Sequence, residues 1–216
     1  FDFATSPKAD CPPGTYLADF LTDKAVDFVR RHKDRPFFLY LPHFGVHSPF
    51  QAKPGLVAKF QDLPPAGGHK DPTYAAMIAS VDESVGRVLA VLDELKLADG
   101  TVVVFSSDNG GVGGYAREGL KGGGVTDNAP LRSGKGSLYE GGVRVPWVVR
   151  WPGAVPPGTT DVPVSSVDLF PTASSRAARR RRPGTPCTGT SRATSGPAAT
   201  AGGPPRPGRS GPATGS

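Results

Sequence analysis

The sequence has little cysteine and no long apolar run. Its two cysteines, Cys11 and Cys187, among 216 residues are too few for a disulfide framework and are not spaced as a CxxC metal site. No apolar run approaches the roughly 18 residues that a membrane-spanning helix requires. The first residues also lack the basic-then-apolar pattern of a secretory signal. These absences exclude a disulfide-stapled miniprotein, and we expect no membrane partner.

Acidic residues are absent from residues 174–216, which hold eight arginines and only seven types of residue. Such a segment cannot bury much apolar surface, so we predict a disordered tail. All seven types have GC-rich codons, and a frameshifted reading of a GC-rich gene is an alternative origin. Residues 1–173 carry 17 basic and 19 acidic side chains, so the chain's positive charge belongs to the tail. We therefore predict one domain over residues 1–173 and no nucleic-acid partner, except for non-specific contacts of the tail.

One short apolar run ends abruptly in polar residues. Residues 102–105 are β-branched or aromatic and are followed by Ser106, Ser107, Asp108, Asn109 and then glycine. After a helical pattern, such a run predicts a strand buried on both faces of a parallel sheet. Ligands bind past the carboxyl ends of strands in such sheets, and carboxylate and amide oxygens suit Ca²⁺ or Mg²⁺. The alternative is a plain loop or a hairpin turned at Asn109 and Gly110.

The remaining patterns alternate between helices and strands, which predicts an α/β fold with right-handed crossovers. We predict a helix capped by Thr22 and running to about His32, and a long amphipathic helix that opens at Asp71 and Pro72 and ends near Asp99. Further predictions are a strand over 36–41, a short helix over 54–61, a strand over 145–151, an edge strand over 162–164 and a helix opening at Asp168.

Two loops carry candidate functional side chains. His43 and His47 lie between prolines and a glycine after the strand at 36–41, and either could be functional or merely solvated. The glycine-rich segment 109–137 is long enough to be functional or disordered. Within it, residues 111–116 fit G-x-G-x-x-A without a following helix, and residues 134–137 depart from a phosphate loop. What survives is Lys135 between two glycines, a point charge on backbone that can approach an anion.

Taken together and in this order, the motifs resemble the sulfatases of the alkaline-phosphatase-like superfamily. The likeness covers roughly residues 15–173. It rests on PFFLYLPHFGVHSPF (36–50), YAAMIASVDESVGRVLAVLDEL (74–95), TVVVFSSDNGG (101–111), APLRSGKGSLYEGGVRVPWVVRWPG (129–153) and SSVDLFPT (165–172). The resemblance implies a mostly parallel sheet flanked by helices, of which this chain holds a part.

The resemblance also implies roles for individual residues. Asp108 and Asn109 match a late pair of calcium ligands, and Lys135 matches a lysine that holds a sulfate oxygen. His47 matches a histidine that contacts the sulfate and helps to protonate the leaving oxygen. The reaction implied is hydrolysis of a sulfate ester, aryl or glycan, with calcium and a formylglycine nucleophile. A periplasmic or secreted location is implied in the same way.

The nucleophile is where the sequence departs from the family pattern. The family makes formylglycine from a Cys or Ser in a C/S-x-P-x-R motif near its start, and the closest stretch here, Cys11 to Thr15, lacks the arginine. The early aspartate pair of the calcium site is also missing. Because the chain begins at Phe1 and not at Met, we expect a fragment whose nucleophile lies in a missing N-terminal part, and we expect the chain alone to be inactive. The alternatives are a related phosphodiesterase, a non-catalytic pseudo-sulfatase or a polyanion-binding module.

Overall fold

The computed structural model describes residues 11–118 and 124–180. The chain divides into two compact units, residues 1–158 and 159–216, which are described separately. In the first unit the order of elements is α1 (Leu17–His32), α2 (Pro54–Phe60), α3 (Pro72–Glu94), a 3₁₀ turn (Ala98–Gly100), β1 (Val103–Ser106), a 3₁₀ turn (Tyr115–Glu118), α4 (Glu140–Val143) and β2 (Trp147–Arg150).

Helix α3 begins where the sequence predicts it but ends at Glu94, about five residues before the predicted end near Asp99. The carboxylate of Asp71 accepts hydrogen bonds from the backbone amides of Thr73, at 2.8 Å, and Tyr74, at 3.0 Å. Pro72 occupies the first turn, where a missing N–H costs nothing. The apolar stripe is buried only in part, because Met77 and Leu92 are buried while Ile78 is half exposed. The helix therefore packs on one face against the rest of the unit.

Helix α1 begins five residues before the predicted cap. Thr22 lies inside the helix and is 1% exposed, and its hydroxyl lies 2.6 Å from the Ala18 carbonyl of the preceding turn. The prediction of Thr22 as a cap is wrong, because a threonine can bond back to the i−4 carbonyl inside a helix as readily as it can cap one.

The core lies between α1, α3 and the extended chain that follows α1. Val29, Val91 and Leu92 form its buried centre. Ion pairs at the edges join the two helices, with Arg30 bound to both carboxylate oxygens of Glu94 at 2.7 Å and Arg87 bound to Asp23. The residues packed around the centre are Val26, Phe37, Leu39, Leu95, Leu97 and Val103.

The sheet differs from the prediction. Strand β1 pairs antiparallel with β2, in the register Val104 opposite Val149 and Phe105 opposite Val148. The segment 36–41 is extended and packs Phe37 and Leu39 on the core, but it joins no sheet within the part of the chain that the structure describes. Pairing needs a neighbouring strand, and an apolar run alone cannot supply one. The predictions of a strand at 36–41 and of a doubly buried parallel β1 are therefore wrong for the described residues.

The second unit is small and helical in its described part. A 3₁₀ turn over Ser166–Asp168 leads into α5 (Leu169–Arg180), as predicted from the pattern at Asp168. Residues 162–164 form no strand, so the predicted edge strand is wrong. The predicted tail begins inside α5, which includes residues 174–180; the prediction for 181–216 lies outside the described residues. Within the described ranges, no helix is long and apolar enough to cross a membrane.

Candidate active site

The loop that carries His47 runs along the surface of α3. An added Cβ at Gly45 would lie 2.9 Å from Val81 Cγ2, so the loop backbone rests directly on the helix. Further along the chain, the ring of Phe50 meets the ring of Tyr74 edge-on, at 5.8 Å between centroids. His47 lies between these two contacts. Its side chain is exposed, and Nδ1 lies 2.7 Å from the Ser48 carbonyl oxygen.

Asp108 and Asn109 lie just past the end of β1, separated from it by Ser107, as the sequence predicts. The carboxylate of Asp108 is exposed, and the side chain of Asn109 is half-buried. The Ser107 hydroxyl donates to the Asn109 carbonyl at 2.8 Å. Next in the chain, the Gly110 amide donates to the Gly142 carbonyl at 2.9 Å. The end of β1 is thereby tied to α4, which lies just before β2.

Asn128 holds the glycine-rich segment together. Its Oδ1 accepts from the Gly111 amide at 3.1 Å, and its Nδ2 lies 3.0, 3.3 and 3.1 Å from the carbonyl oxygens of Gly111, Gly113 and Ser133. No pattern in the sequence singles out this asparagine, because its partners are backbone groups distributed between Gly111 and Ser133. In the described parts of the segment, residues 109–118 and 124–137, these hydrogen bonds join distant backbone groups, and no hairpin turned at Asn109 and Gly110 is formed.

Lys135 is fixed on the same segment. Its amide donates to the Gly111 carbonyl at 3.0 Å, and its carbonyl accepts from the Tyr115 hydroxyl at 2.7 Å. Gly134, just before it, is buried, and an added Cβ there would lie 2.3 Å from the Gly113 carbonyl oxygen. Lys135 can therefore lie this close to Gly111 only because a glycine precedes it.

The contacts thus bring the segment of Lys135 beside the residues that follow Asp108 and Asn109. Among residues 11–118 and 124–180, no hydrogen bond, ion pair or ring contact joins His47 to this pair of segments. The family resemblance implies that His47 lies at the same site as Lys135 and Asp108, and this stays a prediction. A nearby cleft of about 340 Å³ includes Lys70, Tyr115 and Asp127 in its lining. The α2–α3 connection reaches this region, because His69 Nδ1 lies 2.8 Å from the Thr126 hydroxyl.

The oxygens of Asp108 and Asn109 fit calcium in kind but not in number. Calcium takes six to eight oxygen ligands, and these two side chains are adjacent donors of the hard type that it prefers. In the described ranges, no three His, Cys, Asp or Glu side chains come together as a metal-binding group. Most of the ligands of a complete site would therefore have to be other groups.

Three groups near the His47 loop have shifted pKa values. Burial lowers the pKa of His43 and raises the pKa of the Tyr74 hydroxyl. Burial would also lower the pKa of Lys53, but hydrogen bonds to Glu83, at 2.7 Å, and to Asp19, at 3.1 Å, outweigh it and raise that pKa. His43, which the sequence left as either functional or merely solvated, bonds through its imidazole to Ser84 of α3.

Comparisons with known proteins identify the family of the chain. The sulfatase family model matches residues 2–178, and the chain belongs to the sulfatase family. It is 39% identical over 158 residues to a steryl-sulfatase of Rattus norvegicus, covering 72% of this chain and 26% of that protein. It is 36% identical over 157 residues to an N-acetylgalactosamine-6-O-sulfatase of Bacteroides thetaiotaomicron, covering 71% and 29%. This chain therefore spans little more than a quarter of the length of these relatives.

A solved structure shows the same likeness in three dimensions. The crystal structure of Ps i-CgsB in complex with k-i-k-neocarrahexaose is 38% identical, with a TM-score of 0.65, over 76% of this chain and 34% of that one. The predicted fold class, α/β of the alkaline-phosphatase type and partial, is confirmed by this likeness to sulfatases. Within the described residues, the parallel pairing and the strands predicted at 36–41 and 162–164 are not found.

Proposed function

We propose that this chain is part of a sulfatase catalytic domain that hydrolyses sulfate esters. The observation that carries the proposal is the hydrogen bond from the Lys135 amide to Gly111, at 3.0 Å. It holds a lysine backbone beside the loop that presents the oxygens of Asp108 and Asn109. A cationic amine near hard-oxygen ligands is suited to a tetrahedral anion bound next to a divalent cation.

In this proposal, each residue has a defined task. The Lys135 ammonium pairs with a sulfate oxygen and offsets charge that develops there. The exposed imidazole of His47 gives a proton to the oxygen that leaves with the alcohol. Asp108 and Asn109 would hold calcium, which when bound offsets further charge on the sulfate oxygens.

The nucleophile is not found among the 216 residues. The sequence has no C/S-x-P-x-R, and the stretch from Cys11 to Thr15 lacks the arginine. We propose that a formylglycine outside this chain attacks the sulfur and that the chain alone does not turn over sulfate esters. Relatives named arylsulfatase H and N-acetylgalactosamine-6-O-sulfatase support an aryl or glycan sulfate as the substrate.

Anion binding and turnover can be measured separately on the purified chain. Titration with inorganic sulfate, followed by NMR, should shift amide signals around residues 108–111 and 134–136. Lys135→Ala should weaken that binding about tenfold or more, because a charge-assisted contact contributes roughly 1.5–3 kcal/mol. Lys59→Ala, which removes a lysine of α2, is the matched control. Incubation with 4-nitrophenyl sulfate and Ca²⁺ should release no product above the blank.

Two results would contradict the proposal. Equal sulfate affinity in the Lys135→Ala variant and the unaltered chain would remove the anion site. Steady hydrolysis of 4-nitrophenyl sulfate would show that the chain supplies its own nucleophile.

A further inference from the structure

A row of polar groups crosses the buried interface between α1 and α3 and ends at the loop of His47. Thr22 is 1% exposed and Ser84 is 2% exposed. Their hydroxyl oxygens lie 2.6 Å apart, and Ser84 Oγ lies 2.9 Å from His43 Nε2. Among the described residues, His43 Nδ1 is buried and has no hydrogen-bond partner.

The direction of these hydrogen bonds follows from the Ala18 carbonyl oxygen at one end of the row, which can only accept a hydrogen bond. Thr22 Oγ1 lies 2.6 Å from the Ala18 carbonyl oxygen, so its single proton is best placed there. Ser84 then donates to Thr22 Oγ1, and its own oxygen accepts from the Nε2–H of His43. This order leaves His43 Nδ1 as an acceptor without a partner. An unpaired acceptor costs less free energy than an unpaired buried N–H donor.

The same order keeps His43 neutral. A charged imidazole would place a second proton on Nδ1, where no acceptor is available in the described structure. The lowered pKa of His43, caused by burial, agrees with this. His43, which anchors the loop to α3, therefore stays in one protonation state.

The loop is attached to α3 at three successive points. His43 bonds to Ser84, Gly45 rests on Val81, and the ring of Phe50 meets the first turn of the helix. Ser84 and Val81 are three residues apart and so share a face of α3. Of the three attachments, only the bond from His43 to Ser84 is a directional side-chain hydrogen bond. This hydrogen bond therefore restricts the position and orientation of the loop on α3 more than the apolar contacts do.

We propose that His43 is a positioning residue that holds His47 in place through Ser84 and Thr22. His43 touches no substrate in this proposal; it acts through the loop backbone that joins it to His47. The inference rests on the proposed role of His47 in sulfate ester hydrolysis. Small errors in the placement of a catalytic group lower the reaction rate by large factors. A contact that fixes the loop four residues before His47 would therefore affect catalysis.

The test observes His47 itself, without substrate. The chain contains four histidines, so ¹³Cε1-histidine labelling gives four signals, assigned by single His→Gln variants. Ser84→Ala should shift or broaden the His47 signal and the amides of residues 44–48. The matched control is Ser80→Ala, because Ser80 is equally buried on α3 but bonds only within the helix, to the Ala76 carbonyl at 3.0 Å. The His69 signal should stay in place in both variants.

A second pair of variants separates positioning from space filling. In His43→Gln the side-chain amide can still donate to Ser84, so the His47 signal should stay near its original position. His43→Leu fills the space without a donor and should displace the signal as Ser84→Ala does. This pair also carries the test if Ser84→Ala does not fold.

The outcomes divide clearly. The proposal is overturned if Ser84→Ala moves the His47 signal no more than Ser80→Ala does, or if His43→Leu preserves it as well as His43→Gln. Neither result depends on sulfate binding by Lys135, so failure here is distinct from failure of the proposed function.

Discussion

The two loops that carry the candidate active-site residues are supported in different ways. His47 lies on a loop attached to α3 by side chains, through His43 to Ser84 and through Phe50 to Tyr74. Lys135 lies on a segment held by backbone hydrogen bonds and by Asn128, with glycines at its tightest contacts. The first loop depends on side-chain contacts with α3. The second depends on close backbone contacts that are possible because glycines have no side chain there. Substitutions should therefore damage the two loops by opposite routes.

The largest effect should come from adding one methyl group to the glycine-rich segment. In Gly134→Ala the new Cβ would lie 2.3 Å from the Gly113 carbonyl oxygen and 2.4 Å from that of Gly111. Both contacts are with backbone, so the segment cannot close, and we expect a loss of about 3 kcal/mol or more in the free energy of unfolding. Urea unfolding and the amide spectrum of residues 109–142 measure it.

Gly136→Ala is the control for this change. Gly136 has a φ of +85° and nothing within 4 Å of an added Cβ, so only backbone strain of about 1–2 kcal/mol applies. Equal losses in the two variants would show that crowding does not hold the Lys135 segment.

A second, smaller effect should follow from removing the side chain that bridges the segment. Asn128→Ala leaves the Gly111 amide and three carbonyl oxygens without their partner, and we expect a loss of about 2 kcal/mol. Hydrogen exchange at the amides of Gly111 and Lys135 should accelerate, while exchange within α3 stays slow. Asn128→Asp should be at least as damaging, because it presents a negative oxygen to those carbonyls. A neutral Asn128→Asp would contradict this account.

On the helical side, adding a methyl group should help. Gly86 lies exposed in α3 with nothing within 4 Å of an added Cβ. Gly86→Ala should raise the free energy of unfolding by up to about 1 kcal/mol, since alanine restricts the unfolded chain and favours a helix. The same substitution would then have opposite signs in the two regions. A destabilised Gly86→Ala variant would remove that contrast.

The smallest effect concerns pH. Because burial lowers the pKa of His43 in the folded chain below its usual 6.5, the unfolded chain binds more protons as the pH falls through that value. The stabilisation from a neutral His43 is complete above that pH and decreases as the pH falls below it. Urea unfolding at both sides of this pH should show the loss in the unaltered chain and a smaller one in His43→Gln. An identical pH dependence in the two would contradict it.

Local patterns predicted the helical region better than the glycine-rich one. Asp71 and Pro72 fix the start of α3 by capping and ring geometry, which act over three residues and are visible in sequence. The predicted start of α1 was wrong because Thr22 lies inside the helix, where its hydroxyl forms a hydrogen bond with Ser84, 62 positions away in the chain. The run at 36–41 was extended as expected, but ladder pairing depends on a neighbour that the run does not contain.

The site residues show the same division. Asp108 and Asn109 were located because they end a strand, and Lys135 because glycines flank it. That Lys135 lies beside Gly111 could not be predicted, since it depends on Asn128 and on buried glycines with no periodic pattern. The contact of His43 with Ser84 could not be predicted either, because a loop histidine gives no sign in sequence of which helix it will meet.

The extended segment 36–41 has one face packed on the core and one face that is largely exposed to solvent. Phe37 and Leu39 pack inward, so the alternate residues Phe38 and Tyr40 point away and are 79% and 76% exposed. In solution, the chain by itself should therefore adsorb to apolar surfaces and self-associate. We expect it to bind hydrophobic dyes, to adhere to chromatography matrices and to cloud as its concentration rises, well before any loss of helical signal.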